Sequence, residues 1–117
     1  MMKRTDVMFK NNRFYNIELL LLSLLSKSDL ESFEISRIIN KQSQGYIKIK
    51  DGVLFTTLYH FENSHLISCY EEENVLYYHL EEAGRVRLEM LQREYDHLIY
   101  GINQVLNYQP KKVKNHE

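Results

Sequence analysis

The sequence predicts a mainly α-helical fold that carries a small β-hairpin and ends in one long helix. Apolar residues first recur at helical spacing in three segments between about residues 14 and 63. The pattern then changes to period two over residues 66–72 and 75–80, which is typical of two short strands. From about residue 82 to residue 108 the apolar residues return at steps of three and four, which indicates a long final helix.

The composition favours one small globular domain. The chain has 117 residues, of which 44% are apolar, and this is enough for one hydrophobic core. Its longest apolar stretch, Ile17 to Leu25, is too short to span a bilayer, and the first residues show no secretory leader pattern. The single cysteine, Cys69, excludes an internal disulfide framework. We therefore expect a cytoplasmic protein with no membrane partner.

Two helices open the predicted domain, after a polar segment at residues 1–13 that we interpret as a mobile arm. The first helix runs from about Phe14 to Lys27. Its apolar face is wide, so this helix is either central to the core or also in contact with a second chain. The second helix covers about Glu31 to Lys41 and has a narrower apolar side.

A third helix is predicted to run from Asp51, a plausible N-cap, to about Asn63. Leu54, Leu58 and Phe61 recur at i, i+4 and i+7 and form its inner stripe. The residues left facing away from that stripe are Val53, Thr56, Thr57 and His60.

A β-hairpin follows the third helix. The two strand-like runs are separated only by Glu73-Asn74, which predicts a tight tip. Three helices followed by a hairpin is the order of a winged helix-turn-helix domain, and we place that domain at residues 14–80.

The final helix, residues 81–108, has the pattern of a dimerisation helix, since apolar steps of three and four keep one stripe facing a partner. At about 1.5 Å per residue it is ~40 Å long, so much of the stripe would be exposed in a monomer. Pro110 ends the helix near the start of a basic tail at residues 109–117. The predicted homodimer interface consists of Leu88, Leu91, Tyr95, Leu98, Ile102 and Val105, with Leu20 and Leu24 from the first helix.

Charge is unevenly distributed along the chain, although the net charge is only −1. Residues 1–50 carry nine Lys and Arg against five Asp and Glu, whereas residues 51–80 carry five acids and no Lys or Arg. Any electrostatic attraction for phosphates must therefore come mostly from the N-terminal half.

The third helix offers groups that suit a nucleic acid, because its hydroxyl and imidazole groups can donate to phosphates or base edges in a major groove. Two lysines just before it would hold phosphates. The competing interpretation is an ordinary solvated helix face, and the hairpin after the helices favours DNA binding instead. The DNA-binding residues that we predict are Val53, Thr56, Thr57, His60, Lys48, Lys50 and Arg37, with Arg4 and Arg13 from the arm.

Enzymatic chemistry finds little support in the sequence. The five histidines fall on different predicted elements and lack the spacing of a metal site. Cys69 in a strand is typical of a small buried side chain, and Glu71 to Glu73 is typical of a solvated hairpin tip. No glycine-rich phosphate loop occurs. We therefore expect no catalytic site, no metal and no cofactor.

Four motifs occur in one order along the chain: Phe33-Glu34-Ile35, Gly52 to Glu62 with His65-Leu66-Ile67, Tyr77-Tyr78-His79-Leu80, and Glu82-Ala83-Gly84-Arg85. Over roughly residues 14–106 they resemble the PadR family of winged-helix regulators, in its short form with a single C-terminal helix. The resemblance implies a transcriptional regulator, usually a repressor, that binds a palindromic operator as a two-fold dimer. It also implies a possible small apolar effector between the subunits, beside Met90 and Tyr95.

The hairpin departs from that family's pattern. The family commonly places arginines before the paired tyrosines, where this chain has Glu71 to Glu73, Asn74, Val75 and Leu76. Three carboxylates there repel DNA and supply no counterion release. His65 also replaces a glycine that usually adopts a positive φ. An alternative function is therefore an interaction or ligand-sensing module that binds DNA only weakly.

Overall fold

The computed structural model describes residues 16–111, and the elements below lie within that range. It confirms the predicted mainly α-helical fold with a small sheet and one long final helix. One short strand, β1, was not predicted because two residues are too few to show an alternating pattern. The elements in order are α1 (Ile17–Leu25), β1 (Leu30–Glu31), α2 (Ser32–Gln42), α3 (Asp51–Asn63), β2 (Ile67–Glu72), β3 (Val75–Leu80) and α4 (Glu82–Leu106).

Helix α1 is the centre of the hydrophobic core. Leu21 and Leu22 are fully buried although they lie on different sides of the helix, because α1 is covered by other elements on both sides. Leu20 and Leu24 are half-buried and pack against the same core. Helix α1 is therefore central to the core, and each of its buried leucines contributes about 1.5–3 kcal/mol. Contact of Leu20 and Leu24 with a second chain stays a prediction.

The three strands form one antiparallel sheet with the order β1-β3-β2. Leu30 pairs with Tyr78, and Ile67 pairs with Leu80, so the buried ends of the strands lie together against the helices. The tip is a two-residue turn in which Glu73 has a φ of 52° and Asn74 a φ of 67°. Positive φ at both positions is what a type I′ turn requires, which confirms the predicted tight hairpin.

The N-termini of α2 and α3 are held differently. At α2 the Glu31 carboxylate accepts from the Glu34 backbone N–H at 3.2 Å, and the Glu34 carboxylate accepts from the Glu31 N–H at 3.3 Å. This reciprocal capping box satisfies two otherwise unpaired donors. At α3 the prediction that Asp51 is the N-cap is wrong, because Lys50 occupies that position without a side-chain cap bond. Asp51 is instead the first helical residue, where its negative charge interacts favourably with the positive end of the helix dipole.

Helix α4 is fixed to the domain through its first turns. The Glu81 N–H donates to the Leu66 carbonyl at 2.9 Å, and Gly84 packs closely against the same carbonyl. Arg87 forms an ion pair with Glu18 of α1 at 3.1 Å. These contacts hold the start of α4 on the core, and no helix within residues 16–111 is long and apolar enough to cross a membrane.

Candidate nucleic-acid interface

Helix α3 is held in one rotational setting by its inner stripe. Leu54, Leu58 and Phe61 are almost completely buried, with at most 1% of each side chain exposed. Residues on the opposite side of a helix with this stripe must face outward, because successive side chains are about 100° apart. The exposed residues on that outward face are Gly52, Val53, Thr56, Tyr59, His60 and Asn63.

The predicted contact residues of α3 fall into two groups. Val53 is 44% exposed, and Thr56 and His60 are also exposed on the outward face. Thr57 differs, because it is half-buried at the side of the helix and its hydroxyl donates to the Val53 carbonyl at 2.7 Å. That internal bond uses the Thr57 proton, so Thr57 offers a partner less than Thr56 does.

Tyr59 was not among the predicted contact residues, but its side chain is 67% exposed on the outward face. Its signal was available, because Tyr59 lies three residues after Thr56 and one residue after the inner-stripe Leu58. Asn63 extends the same face at the C-terminal end of the helix. The outward face is therefore larger than the sequence analysis proposed.

The predicted lysines lie on the extended segment that leads into α3. Ile47 and Ile49 are half-buried against the core, so the alternating Lys48 and Lys50 are exposed. The Ser43 hydroxyl accepts from the Ile47 N–H at 2.9 Å and holds this segment against the end of α2. The lysines are therefore placed at the entrance to α3 by burial of their neighbours.

Arg37 is exposed on α2 and lines an open groove between α2 and the start of β3, away from the inner stripe of α3. A T-shaped contact between Phe33 and Phe55, with ring centroids 5.9 Å apart, joins α2 to α3. This contact fixes how the two helices are arranged relative to each other. Arg4 and Arg13, which were also predicted to contact DNA, lie outside the described residues.

The wing, defined as residues 67–80, carries its acidic residues at the exposed tip. Glu71, Glu72 and Glu73 are all exposed, and no Lys or Arg occurs in the sequence of the wing to balance them. Val75 and Leu76 are 37% and 45% exposed beside them. The tip is therefore both acidic and partly apolar, which is an unfavourable surface for phosphates.

At the other end of the wing, Asp29 joins the α1–β1 connection to the outer face of the sheet. The Tyr70 hydroxyl donates to Asp29 Oδ2 at 2.7 Å, and His79 Nδ1 lies 2.8 Å from Asp29 Oδ1. Tyr70 also stacks on Tyr77, with ring centroids 5.6 Å apart. The hydrogen bond from Tyr70 lowers the pKa of Asp29, and the contacts to His79 lower it further. The same bond raises the pKa of Tyr70 to about 12.

This cluster gives a pH dependence that can be measured. Because the pKa of Tyr70 is raised from 10.0 to about 12, the stability from its hydrogen bond is present below pH 10 and is lost as pH rises through about 12. We expect the difference in tyrosinate absorbance between the wild type and Tyr70→Phe to titrate near pH 12. In an Asp29→Ala background that difference should titrate closer to pH 10. A wild-type midpoint near pH 10, with the fold intact by circular dichroism, would contradict the bond.

The dimerisation stripe predicted on α4 has two parts, one up to Leu91 that is buried or half-buried and one beyond it that is exposed. Leu91 is 6% exposed within the single chain and Leu88 is half-buried, so both pack on the chain's own core. Beyond that point residues 16–111 leave the apolar side of α4 uncovered. The exposed fractions are 45% for Tyr95, 57% for Leu98, 43% for Ile102 and 74% for Val105.

A three-helix domain with an antiparallel wing and an outward-facing third helix defines the winged-helix class of DNA-binding regulators. Residues 21–90, more than half of the chain, match the transcriptional regulator PadR-like family. The chain belongs to this family, whose members are transcriptional regulators rather than enzymes. This confirms both the resemblance read from the sequence motifs and the expectation that the protein is not an enzyme.

Solved structures agree with this assignment. A PadR family transcription regulator from Clostridium difficile R20291 is 26% identical, with a TM-score of 0.69, over 78% of this chain and 98% of its own. The protein smu.1704 from Streptococcus mutans UA159 is 27% identical, with a TM-score of 0.70, over 83% and 92%. A transcriptional regulator from Clostridium thermocellum, Cth-833, has a TM-score of 0.73 over 89% and 96%, and at 21% identity it shares the fold alone. No curated protein matches the chain.

Proposed function

We propose that this protein is a homodimeric repressor that binds a palindromic operator in the cytoplasm with the outward face of α3. The observation that carries the proposal is the rotational setting of α3, whose buried stripe leaves Thr56, Tyr59 and His60 exposed together. A helix presented in this way enters the major groove in winged-helix proteins. Repression then follows from occupation of DNA that the transcription machinery also needs.

The proposed dimer is supported by the uncovered apolar side of α4. The helix has 25 residues and is about 37 Å long, but the part of the chain that the structure describes covers only its first turns. Ile99 and Leu106 lie beside the predicted stripe and widen it, so the partner surface is broader than a single coiled-coil seam. Pairing through these helices gives a two-fold dimer whose α3 helices address half-sites about 34 Å apart.

Phosphate contacts in this proposal come from Lys48 and Lys50 at the entrance to α3, with Arg37, Arg4 and Arg13 as further candidates. The acidic wing is kept away from the phosphates, because Glu71 to Glu73 would repel them. A small apolar effector, if the protein has one, would lie between the α4 helices beside Met90, which is 39% exposed.

The exposed acidic tip favours a second candidate function, in which the dimer is an interaction module and α3 contributes little to DNA binding. The two functions differ in what they require of α3. A regulator that reads an operator loses affinity when α3 is altered, whereas an interaction module keeps whatever weak affinity its remaining cations provide.

Substitution on the outward face tests the proposal. We expect Thr56→Glu to weaken binding to DNA from upstream of the protein's own gene by at least about tenfold, because a carboxylate would enter the groove. The matched control is Gln104→Glu, which adds the same charge at an exposed site on α4. Affinities measured by fluorescence polarisation at low salt should separate the two variants. Equal affinities for both would favour the interaction module.

A further inference from the structure

We infer that α3 reads A·T base pairs, chiefly through the methyl groups of thymine, and does not read guanine by paired hydrogen bonds. This inference rests on the proposed function and specifies what the outward face recognises. It follows from the side chains that the buried stripe leaves exposed, taken together with the chemistry of base edges in the major groove.

Helix α3 lacks the side chains that most often read guanine. The commonest specific contact to guanine is a bidentate one from Arg or Lys to O6 and N7. The sequence from Asp51 to Asn63 contains neither residue type. Lys48 and Lys50 come before the helix on an extended segment, where they suit phosphates at the edge of the groove.

Cytosine is distinguished by its amino group, which is read by a carboxylate acceptor. Asp51 is the only carboxylate near the N-terminus of α3, and it lies seven residues before the buried Leu58. Seven residues is close to two helical turns, so Asp51 is exposed at the edge of the inner stripe and not opposite it. Glu62 is half-buried and accepts a hydrogen bond from the Cys69 thiol at 2.9 Å. Neither carboxylate therefore lies opposite the inner stripe, at the centre of the face that would meet DNA.

The outward face of α3 offers apolar groups to the DNA. Val53 presents two methyl groups at 44% exposure, Thr56 presents one methyl beside its hydroxyl, and Tyr59 presents an aromatic ring at 67% exposure. Apolar groups of this kind contact the C5-methyl of thymine, which projects into the major groove. Gly52 is exposed, and a Cβ added there would meet no atom of residues 16–111 within 4 Å, so these residues leave room for the duplex to approach the first turn of the helix closely.

A selection from random duplex DNA, carried out with the full-length protein, gives the first test. We expect each half-site to show a run of three or four A·T pairs beneath α3. Deoxyuridine is then substituted for thymine in this run, which removes only the methyl group. Each contacted methyl should be worth about fourfold in affinity, the fold-change that corresponds to burial of one such group. Replacing guanine with 7-deazaguanine elsewhere in the site should leave affinity unchanged.

A double-mutant cycle connects this effect to one residue. Thr56→Ser removes a methyl and keeps the hydroxyl, so it should weaken binding to thymine DNA several-fold and change binding to uracil DNA little. Thr57→Ser is the matched control, because Thr57 is half-buried and its hydroxyl bonds within the helix. We expect the control to show no coupling to the thymine methyl.

The outcomes separate this inference from the proposed function. Sequence-selective binding that is insensitive to uracil, or that weakens with 7-deazaguanine, overturns A·T reading and leaves the operator-binding proposal intact. A selection that enriches no sequence at all overturns both. Uracil sensitivity that disappears in Thr56→Ser supports both.

Discussion

Gly84→Ala is expected to lower the free energy of unfolding by about 2–3 kcal/mol, within the range for overpacked sites and at its upper end. A Cβ at this position would lie well inside van der Waals contact with the Leu66 carbonyl oxygen and with Leu80. The carbonyl is backbone and also accepts the Glu81 N–H, so relief would require α4 to move away from the sheet. Denaturant unfolding at one fixed protein concentration measures the effect, since the proposed dimerisation would make apparent stability concentration-dependent.

The control for this experiment is the same substitution at Gly52, which also lies in the first turn of a helix. None of the described residues lies within 4 Å of a Cβ there, so Gly52→Ala should change stability by less than about 1 kcal/mol, in the stabilising direction. Comparable losses in the two variants would show that α4 is not packed on Leu66 as described.

The second large effect is expected on dimerisation. Leu98→Glu combined with Ile102→Glu should weaken the dimer at least ~10⁴-fold, because the two carboxylates would each be buried without a partner at a cost of about 3 kcal/mol or more. Leu98 and Ile102 are 57% and 43% exposed in the single chain, so the domain itself should remain folded. Sedimentation of this variant should therefore give the mass of a monomer. Its circular dichroism spectrum should remain that of a helical protein.

Two comparisons make this result specific. Asn103→Glu with Gln104→Glu places two charges at exposed positions of the same helix outside the apolar stripe and should leave the dimer intact. Leu91→Glu should unfold the chain instead of dissociating it, because Leu91 is only 6% exposed within its own domain. A stable dimer of the Leu98→Glu and Ile102→Glu variant would refute an interface on this side of α4.

Much of the fold was predictable from periodicity. The spacing of Leu54, Leu58 and Phe61 predicted the inner stripe of α3, and the Glu73-Asn74 tip predicted the hairpin. These predictions succeeded because burial of one side of an element is imposed along its whole length. Strand β1 was not predictable, because its two residues pair with β3 only through tertiary contact.

The candidate site was predictable in composition but less so in geometry. Spacing alone did not show that the Thr57 hydroxyl donates to the Val53 carbonyl. Spacing also did not show where the apolar stripe of α4 stops packing on the chain's own core. A heptad pattern is the same whether the partner is the chain's own core or a second chain. In the structure Leu91 is buried in the chain's own domain, whereas Leu98 is exposed.

Nuclease protection of DNA from upstream of the protein's own gene tests the central claim most directly. At low salt, we expect two protected half-sites about 34 Å apart on one face of the duplex. We also expect Thr56→Glu to abolish the protection and Gln104→Glu to preserve it. Absence of protection by the wild-type protein, or protection that Thr56→Glu leaves unchanged, would contradict the assignment of α3 as the helix that binds the operator.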